Sequence, residues 1–321
     1  MFTWIAIHRE AIHRILEYRQ NERELLTLLG EMEHQGLKVI SLQDEAADGE
    51  NIPLAEIDPF TFLASFNRGV TDDNRRKNWN FLKARWGLEA AVPDDFSGIP
   101  VLHPINCRLF PYAATRGKDH VPCLWQVASL AADGDIKGVS EELFDGCLKL
   151  KCVGIGSLTI GLFWINPENF LPADSKTRAY GKAKGITTEP EDYQSYRQWM
   201  TEMTGRLAEG HPQISYAADL FAVKRKSLNF KKWMGPLLDA LRTLGGSGAP
   251  RDVADKIRQE LKFPESVVTG TTKSGQLRFQ NQVAWARKYL VWEGFVSCIK
   301  GSWQHEFLAI SGARPLSRRT A

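Results

Sequence analysis

The chain has little cysteine, almost no net charge, no metal-ligand spacing and no long apolar run, and each shortage closes a class of explanation. Its five cysteines (Cys107, Cys123, Cys147, Cys152, Cys298) form no CxxC pair. Neither a disulfide framework nor a zinc or iron-sulfur site is expected, and the thiols read as reduced and structural. The seven His stand at no metal-ligand or catalytic-triad spacing, and no GxxxxGK[ST] phosphate loop occurs. No metal and no cofactor is expected. No apolar run reaches the roughly 18 residues of a membrane span. The opening "MFTWIAIHRE" carries charges where a signal peptide needs an apolar stretch. The expectation is a cytoplasmic protein without a membrane partner.

What is present points to a globular chain of two or three domains, with 43% hydrophobic and 25% charged residues in 321. Ten Trp and sixteen Phe supply flat surface for cores and for stacking on bases. The formal charge of +3 decides little, but its distribution is uneven. From Trp233 onward there are 13 Lys and Arg against 7 Asp and Glu, and before it 28 against 31. A C-terminal basic excess fits a nucleic-acid-binding module, and also a plain solvated surface.

Helical signals dominate the first two thirds. Ile5, Ile12, Ile15, Leu16, Leu25, Leu28 and Met32 follow helical spacing with a break near Gln20 and Asn21. Asp58 with Pro59 opens one helix, and Thr71 to Gly87 bounds the next. The Pro-, Gly- and Asn-rich segment from Ala91 to Thr115 reads as a long irregular loop of functional character. Helices resume near Leu124, at Ser140 and after Pro190, with no run of alternating strands before residue 230. The charged "VKRKSLNFKKW" sets a boundary: a helical domain over 1–230 and a second domain over 231–321. Three further helical patterns and a hairpin around Lys300 and Gly301 make the second domain a winged helix.

The stretch "LKLKCVGIGSLTIGLFWINPENFLPADSKTR" carries the chemistry. A hairpin over 148–160 places Val153, Gly154, Gly156 and Ser157 between two helices. Glycines there let backbone N–H groups approach a phosphate, and the following helix N-terminus adds favourable partial charge. A loop over 166–176 then returns Asp174 to the hairpin, with Lys176 and Arg178 beside it. Two plainer readings stand alongside: an ordinary GxG turn between core helices, and an Asp174 that only caps the helix after it.

This stretch resembles the helix-hairpin-helix DNA glycosylases, in which a Gly-Val-Gly-like hairpin precedes a Gly/Pro-rich loop and an essential Asp. The separation of twenty residues between Gly154 and Asp174 matches the endonuclease III branch. Two departures matter. Cys152 stands where the first hairpin Gly is usual, and Gly156 where bifunctional members carry a nucleophilic Lys. The resemblance therefore implies base excision without a lyase step, and without an iron-sulfur cluster. The segments "LAEIDPFTFLASFNRGVTDDNR" and "GLFWINPENFLPADSKTRAY" also resemble a domain attached to McrB-like restriction ATPases. The last 85 or so residues, through "SGQLRFQNQVAWARKYLVWEGFV" and "KGSW", resemble the winged-helix N-terminal domain of Mrr-type restriction proteins.

Those resemblances imply a mainly α chain, a helix-hairpin-helix glycosylase-like domain followed by a winged helix. Its expected activity is monofunctional excision of a modified base, with glucosylated hydroxymethylcytosine of phage DNA as first choice. Asp174 is the catalytic candidate. Asn67, Arg68, Asn106, Arg108, Phe110, Tyr112 and Arg116 are base-pocket candidates, and Arg278, Asn281, Arg287, Lys288 and Lys300 are winged-helix contacts. The expected partner is double-stranded DNA, alongside restriction or repair proteins. The alternatives are a non-catalytic specificity module of a restriction system and a transcription regulator.

Overall fold

The computed structural model describes residues 2–104, 107–261, 270–271, 277–292, 294–299 and 301–305. The chain is mainly helical and divides into two compact units, Met1–Ala222 and Val223–Ala321.

The first unit opens with α1 (Trp4–Glu17) and α2 (Glu22–His34), followed by a small antiparallel hairpin of β1 (Gln43–Glu45) and β2 (Asn51–Pro53). Helices α3 (Pro59–Asn67) and α4 (Asp72–Trp86) come next. The irregular segment before α5 (His120–Asp133) carries a 3₁₀ turn at Ala113–Thr115. The unit is completed by α6 (Glu141–Leu148), α7 (Ile155–Ile165), α8 (Ser175–Ala183), α9 (Tyr193–Leu207) and the long α10 (His211–Lys231).

Local chemistry sets these boundaries. The Asp58 carboxylate accepts from Phe60 N–H at 2.8 Å and Thr61 N–H at 3.1 Å, with Pro59 at the first helical position of α3. Thr71 caps α4, which ends at the left-handed Gly87. Every residue of α3 and Leu158 through Ile165 of α7 are buried, as expected of helices that are apolar on all sides. The two meet at Gly161, where a Cβ would lie 2.4 Å from Phe60 Cδ1.

Two expectations need correction. The β1–β2 hairpin precedes residue 230, and its three-residue strands are too short and polar to show a period of two. Cys123 and Cys147 form a disulfide rather than remaining reduced: α5 packs on α6 and brings their Cα atoms to 6.4 Å, a pairing that close-spaced Cys motifs do not reveal. Cys107, Cys152 and Cys298 are free. The contact division at 222/223 falls inside α10 (His211–Lys231), the helix that carries the segment read as a boundary.

The second unit contains α11 (Met234–Thr243), β3 (Ser247–Gly248), α12 (Pro250–Leu261), α13 (Arg278–Trp292), β4 (Val296–Ile299) and β5 (Ser302–His305). Its antiparallel sheet has the order β3-β5-β4, and Gly301 takes a left-handed φ of 81° in the β4–β5 turn. Leu237, Leu241, Val253, Ile257, Phe279, Val283, Leu290 and Trp303 form its core. Among the described residues no helix is long and apolar enough to cross a membrane.

Candidate functional site

The turn between α6 and α7 is tight because Val153 N–H bonds Leu150 O at 3.1 Å and Cys152 adopts φ +74°. That left-handed conformation costs a residue with a Cβ about 1–2 kcal/mol. Gly154 precedes α7, and its N–H donates to Ser157 Oγ at 3.0 Å. The first-turn N–H groups of α7 have no partner within their own helix.

The loop from Asn166 to Asp174 is held at three places. Asn166 Nδ2 donates to Ala131 O and Gly134 O, both at 3.0 Å. Tyr196 OH accepts from Leu171 N–H at 3.1 Å and donates to Leu171 O at 2.8 Å. Thr159 Oγ1, on α7, accepts from Ala173 N–H at 2.9 Å. The last bond ties the residue before Asp174 to the helix that follows the turn.

Asp174 is the N-cap of α8, its Oδ1 accepting from Thr177 N–H at 2.8 Å. The half-buried carboxyl also lines a cavity of about 1050 Å³. Burial pushes its pKa above the ordinary Asp range; the Thr177 hydrogen bonds and the Lys176 charge oppose the rise, and Asp219 adds to it. Lys176 is paired with Asp219 of α10, and Arg178 lies 4.0 Å from Glu189.

The cavity gathers many of the candidates: Gly156 and Ser157 of α7, Asp174, Lys176, Arg178, Arg68, Arg108, Phe110 and Tyr112. Lys151 and Cys152 line it as well. Arg68 donates to Val39 O and Lys151 to Thr115 Oγ1 at 3.3 Å; neither has a carboxylate partner among the described residues. The α7 N-terminus and these two cations favour an anion in this part of the cavity.

Other candidates are not brought to the cavity. Asn67 is wholly buried at the end of α3. Arg116 is held by Asp44 and Glu56 and is not a lining residue. Val153 is buried against the core, and Gly154 does not line the cavity. Phe110, although it lines the cavity, is only 1% exposed. Asn106, Lys300 and the side chain of Arg278 lie outside the described residues. In the second unit Lys288 is exposed, Asn281 is half-buried, and Arg287 lies over the Trp303 ring at 5.5 Å, so it serves the unit's own packing.

Three residues were missed by sequence reasoning. Lys151 stands just before the turn, a place that would have singled it out. Asp219 is distant in sequence and carries no signal. Asp44 sits in a polar hairpin, yet it is buried and accepts from Arg108 at 3.1 Å, Arg116 at 2.9 Å and Ala113 N–H at 3.0 Å. Burial alone would push its carboxyl up; the Ala113 and Glu45 N–H donors and Arg116 outweigh this and hold it below the ordinary range.

Comparison with known families divides the chain at the same region. A domain of unknown function (DUF8425) matches residues 4–220, and the Mrr N-terminal domain matches residues 230–304. No curated protein and no solved structure matches the chain. Since the first match covers more than half of its length, the chain belongs to the DUF8425 family, with an Mrr N-terminal domain after it.

Proposed function

We propose that the first unit is a monofunctional DNA glycosylase that removes a modified base and leaves an abasic site. One observation carries this reading: the Asp174 carboxyl opens onto the same cavity as the N-terminal turn of α7 and the cations Arg68 and Lys151. In this reading α6, the turn and α7 are a helix-hairpin-helix that holds a phosphate. The second unit is a winged helix that holds neighbouring duplex.

The chemistry follows from the bond to be broken. Cleavage between a base and C1′ builds positive charge on the sugar, and a carboxylate in a water-poor site stabilises that charge or orients a water onto it. Asp174 has one oxygen on Thr177 N–H, so the cap fixes its direction while the carboxylate serves the reaction. A base inside a duplex is out of reach, so the nucleotide must flip out at a cost of a few kcal/mol. Gly156 offers no amine for a Schiff base, and the product is an abasic site that persists until heat or alkali.

The cavity bears on substrate. At about 1050 Å³ it stands at the upper end of pockets that enclose ligands far larger than a bare base. Glucosylated hydroxymethylcytosine of phage DNA is the favoured substrate, because a bulky polyhydroxyl group is easier to discriminate than one methyl, worth only ~1–3 kcal/mol. The test is incubation with glucosylated phage DNA and with plain DNA, followed by alkali. Strand breaks after alkali in the modified DNA alone are expected. Intact modified DNA would end the assignment.

A second reading has its own support. Capping α8 is a sufficient structural reason for Asp174. The Mrr N-terminal domain also fits a non-catalytic specificity module within a restriction system. Tight binding of modified DNA with no base release would favour it.

A further inference from the structure

Arg108 was a candidate reader of base edges, but its donors are engaged within the protein. Nη1 donates to Asp44 at 3.1 Å, and Nη2 donates to Gln43 O at 2.6 Å and Ser41 O at 3.4 Å. The fixed guanidinium carbon lies 5.4 Å from the Phe110 ring centroid and 5.2 Å from that of Tyr112. Phe110 is buried, whereas Tyr112 is 54% exposed on the cavity lining. A cation held near an aromatic ring favours one placement of that ring. The result is a relay: a buried carboxylate fixes an arginine, and the arginine fixes an open aromatic ring.

We infer that Tyr112 is the stacking platform for an extrahelical base, and that Asp44 is a positioning residue acting on it through Arg108. This rests on the reading of the cavity as the acceptor of a flipped nucleotide. An exposed ring suits that role because every base has a π-face, so stacking holds a modified base without demanding one edge pattern. Selectivity for the modification then falls to other lining groups. Asp44 reaches the ligand through no contact of its own; its part is to keep the ring from turning away.

The test uses the full chain and a duplex with one 2-aminopurine at a mismatch, whose fluorescence rises when the base leaves the stack and is quenched when it stacks on an aromatic ring. Tyr112→Phe should match wild type. Tyr112→Ala should give a brighter complex and weaken binding roughly 5- to 150-fold, the range of base–aromatic stacking. Asp44→Asn and Arg108→Met should each weaken binding several-fold, and neither should weaken it further when Tyr112 is already Ala. Arg108→Met leaves the Asp44–Arg116 pair in place and carries the test if Asp44→Asn fails to fold.

Additive losses in the double variants would overturn the relay and leave Asp44 a structural residue. A wild-type fluorescence change that Tyr112→Ala reproduces unaltered would overturn the platform while leaving base flipping intact. No fluorescence change in either the wild-type or the Tyr112→Ala complex would overturn the flipping reading and this assignment with it.

Discussion

Asp174 offers a clean separation of cap from catalyst, because the two duties respond differently to two substitutions. The Oδ1 bond to Thr177 N–H at 2.8 Å is one that an Asn side chain also makes. Asn caps helices about as well as Asp, whereas Ala at an N-cap costs ~1 kcal/mol, with a range of about 0.5–2. Asp174→Asn should therefore melt close to wild type and Asp174→Ala measurably lower. In base release, losing the charge should cost both variants about 10²–10³-fold, the scale for removing one preorganised electrostatic stabiliser, or about 3–4 kcal/mol of barrier. Single-turnover excision and thermal melts on the same preparations check both. Burial raises the Asp174 pKa, and the ionised form is the active one, so the wild-type rate should fall with decreasing pH through a midpoint above the ordinary Asp value of about 3.9. Wild-type excision by Asp174→Asn would refute the catalytic role and leave the cap as its whole purpose.

Other outcomes follow from the fold. Cys152→Gly should raise stability by about 0.5–1 kcal/mol in denaturant melts, since the left-handed φ of 74° is free of penalty only for glycine. Gly161→Ala should lower stability by roughly 1–3 kcal/mol or more, because its Cβ meets Phe60 Cδ1 at 2.4 Å inside a packed helix pair. Burial pushes the Asp58 carboxyl up to about 6, so the folded state binds its proton more tightly than the unfolded chain. The Asp58 contribution to stability is then complete below about pH 4 and declines as pH rises through about 6, by up to about 3 kcal/mol. Asp58→Asn should flatten that arm in urea titrations; an unchanged arm would assign it to other groups, of which Glu22 is the first to examine because burial raises it too. Lys288→Gln should weaken duplex binding and reduce the salt slope by about one, and an unchanged slope would make Lys288 a solvated residue.

Sequence reading went furthest where the cause of a structure is local. Asp58 with Pro59, Thr71 with Gly87, and Ser140 all mark helix ends through one side chain and the next few N–H groups. Lys300 and Gly301 marked the β4–β5 turn in the same way, although Lys300 lies outside the described residues. The site was legible where it depends on chain order, in the turn, Ser157 and Asp174. It was not legible where a side chain gains its role from distant partners. Asp44 is drawn inward by two arginines more than sixty residues away. Arg108 and Arg116 looked like surface readers because nothing in sequence reveals that their donors are already engaged. Cys123 and Cys147 come together only because two helices pack.

The three anchors on the loop before Asp174 have a dynamic consequence. Leu171 N–H bonds the buried Tyr196 hydroxyl, and Ala173 N–H bonds Thr159 Oγ1, so both amides are sealed by side chains of α9 and α7 and not by a secondary-structure ladder. Neither can reach solvent through fraying of the loop alone; α7 or α9 must move first. Loop amides ordinarily exchange with water through small local openings, far below the free energy of global unfolding. These two should instead exchange with the slow set belonging to the core helices, making the loop that carries Asp174 part of the most persistent cooperative unit of the first domain.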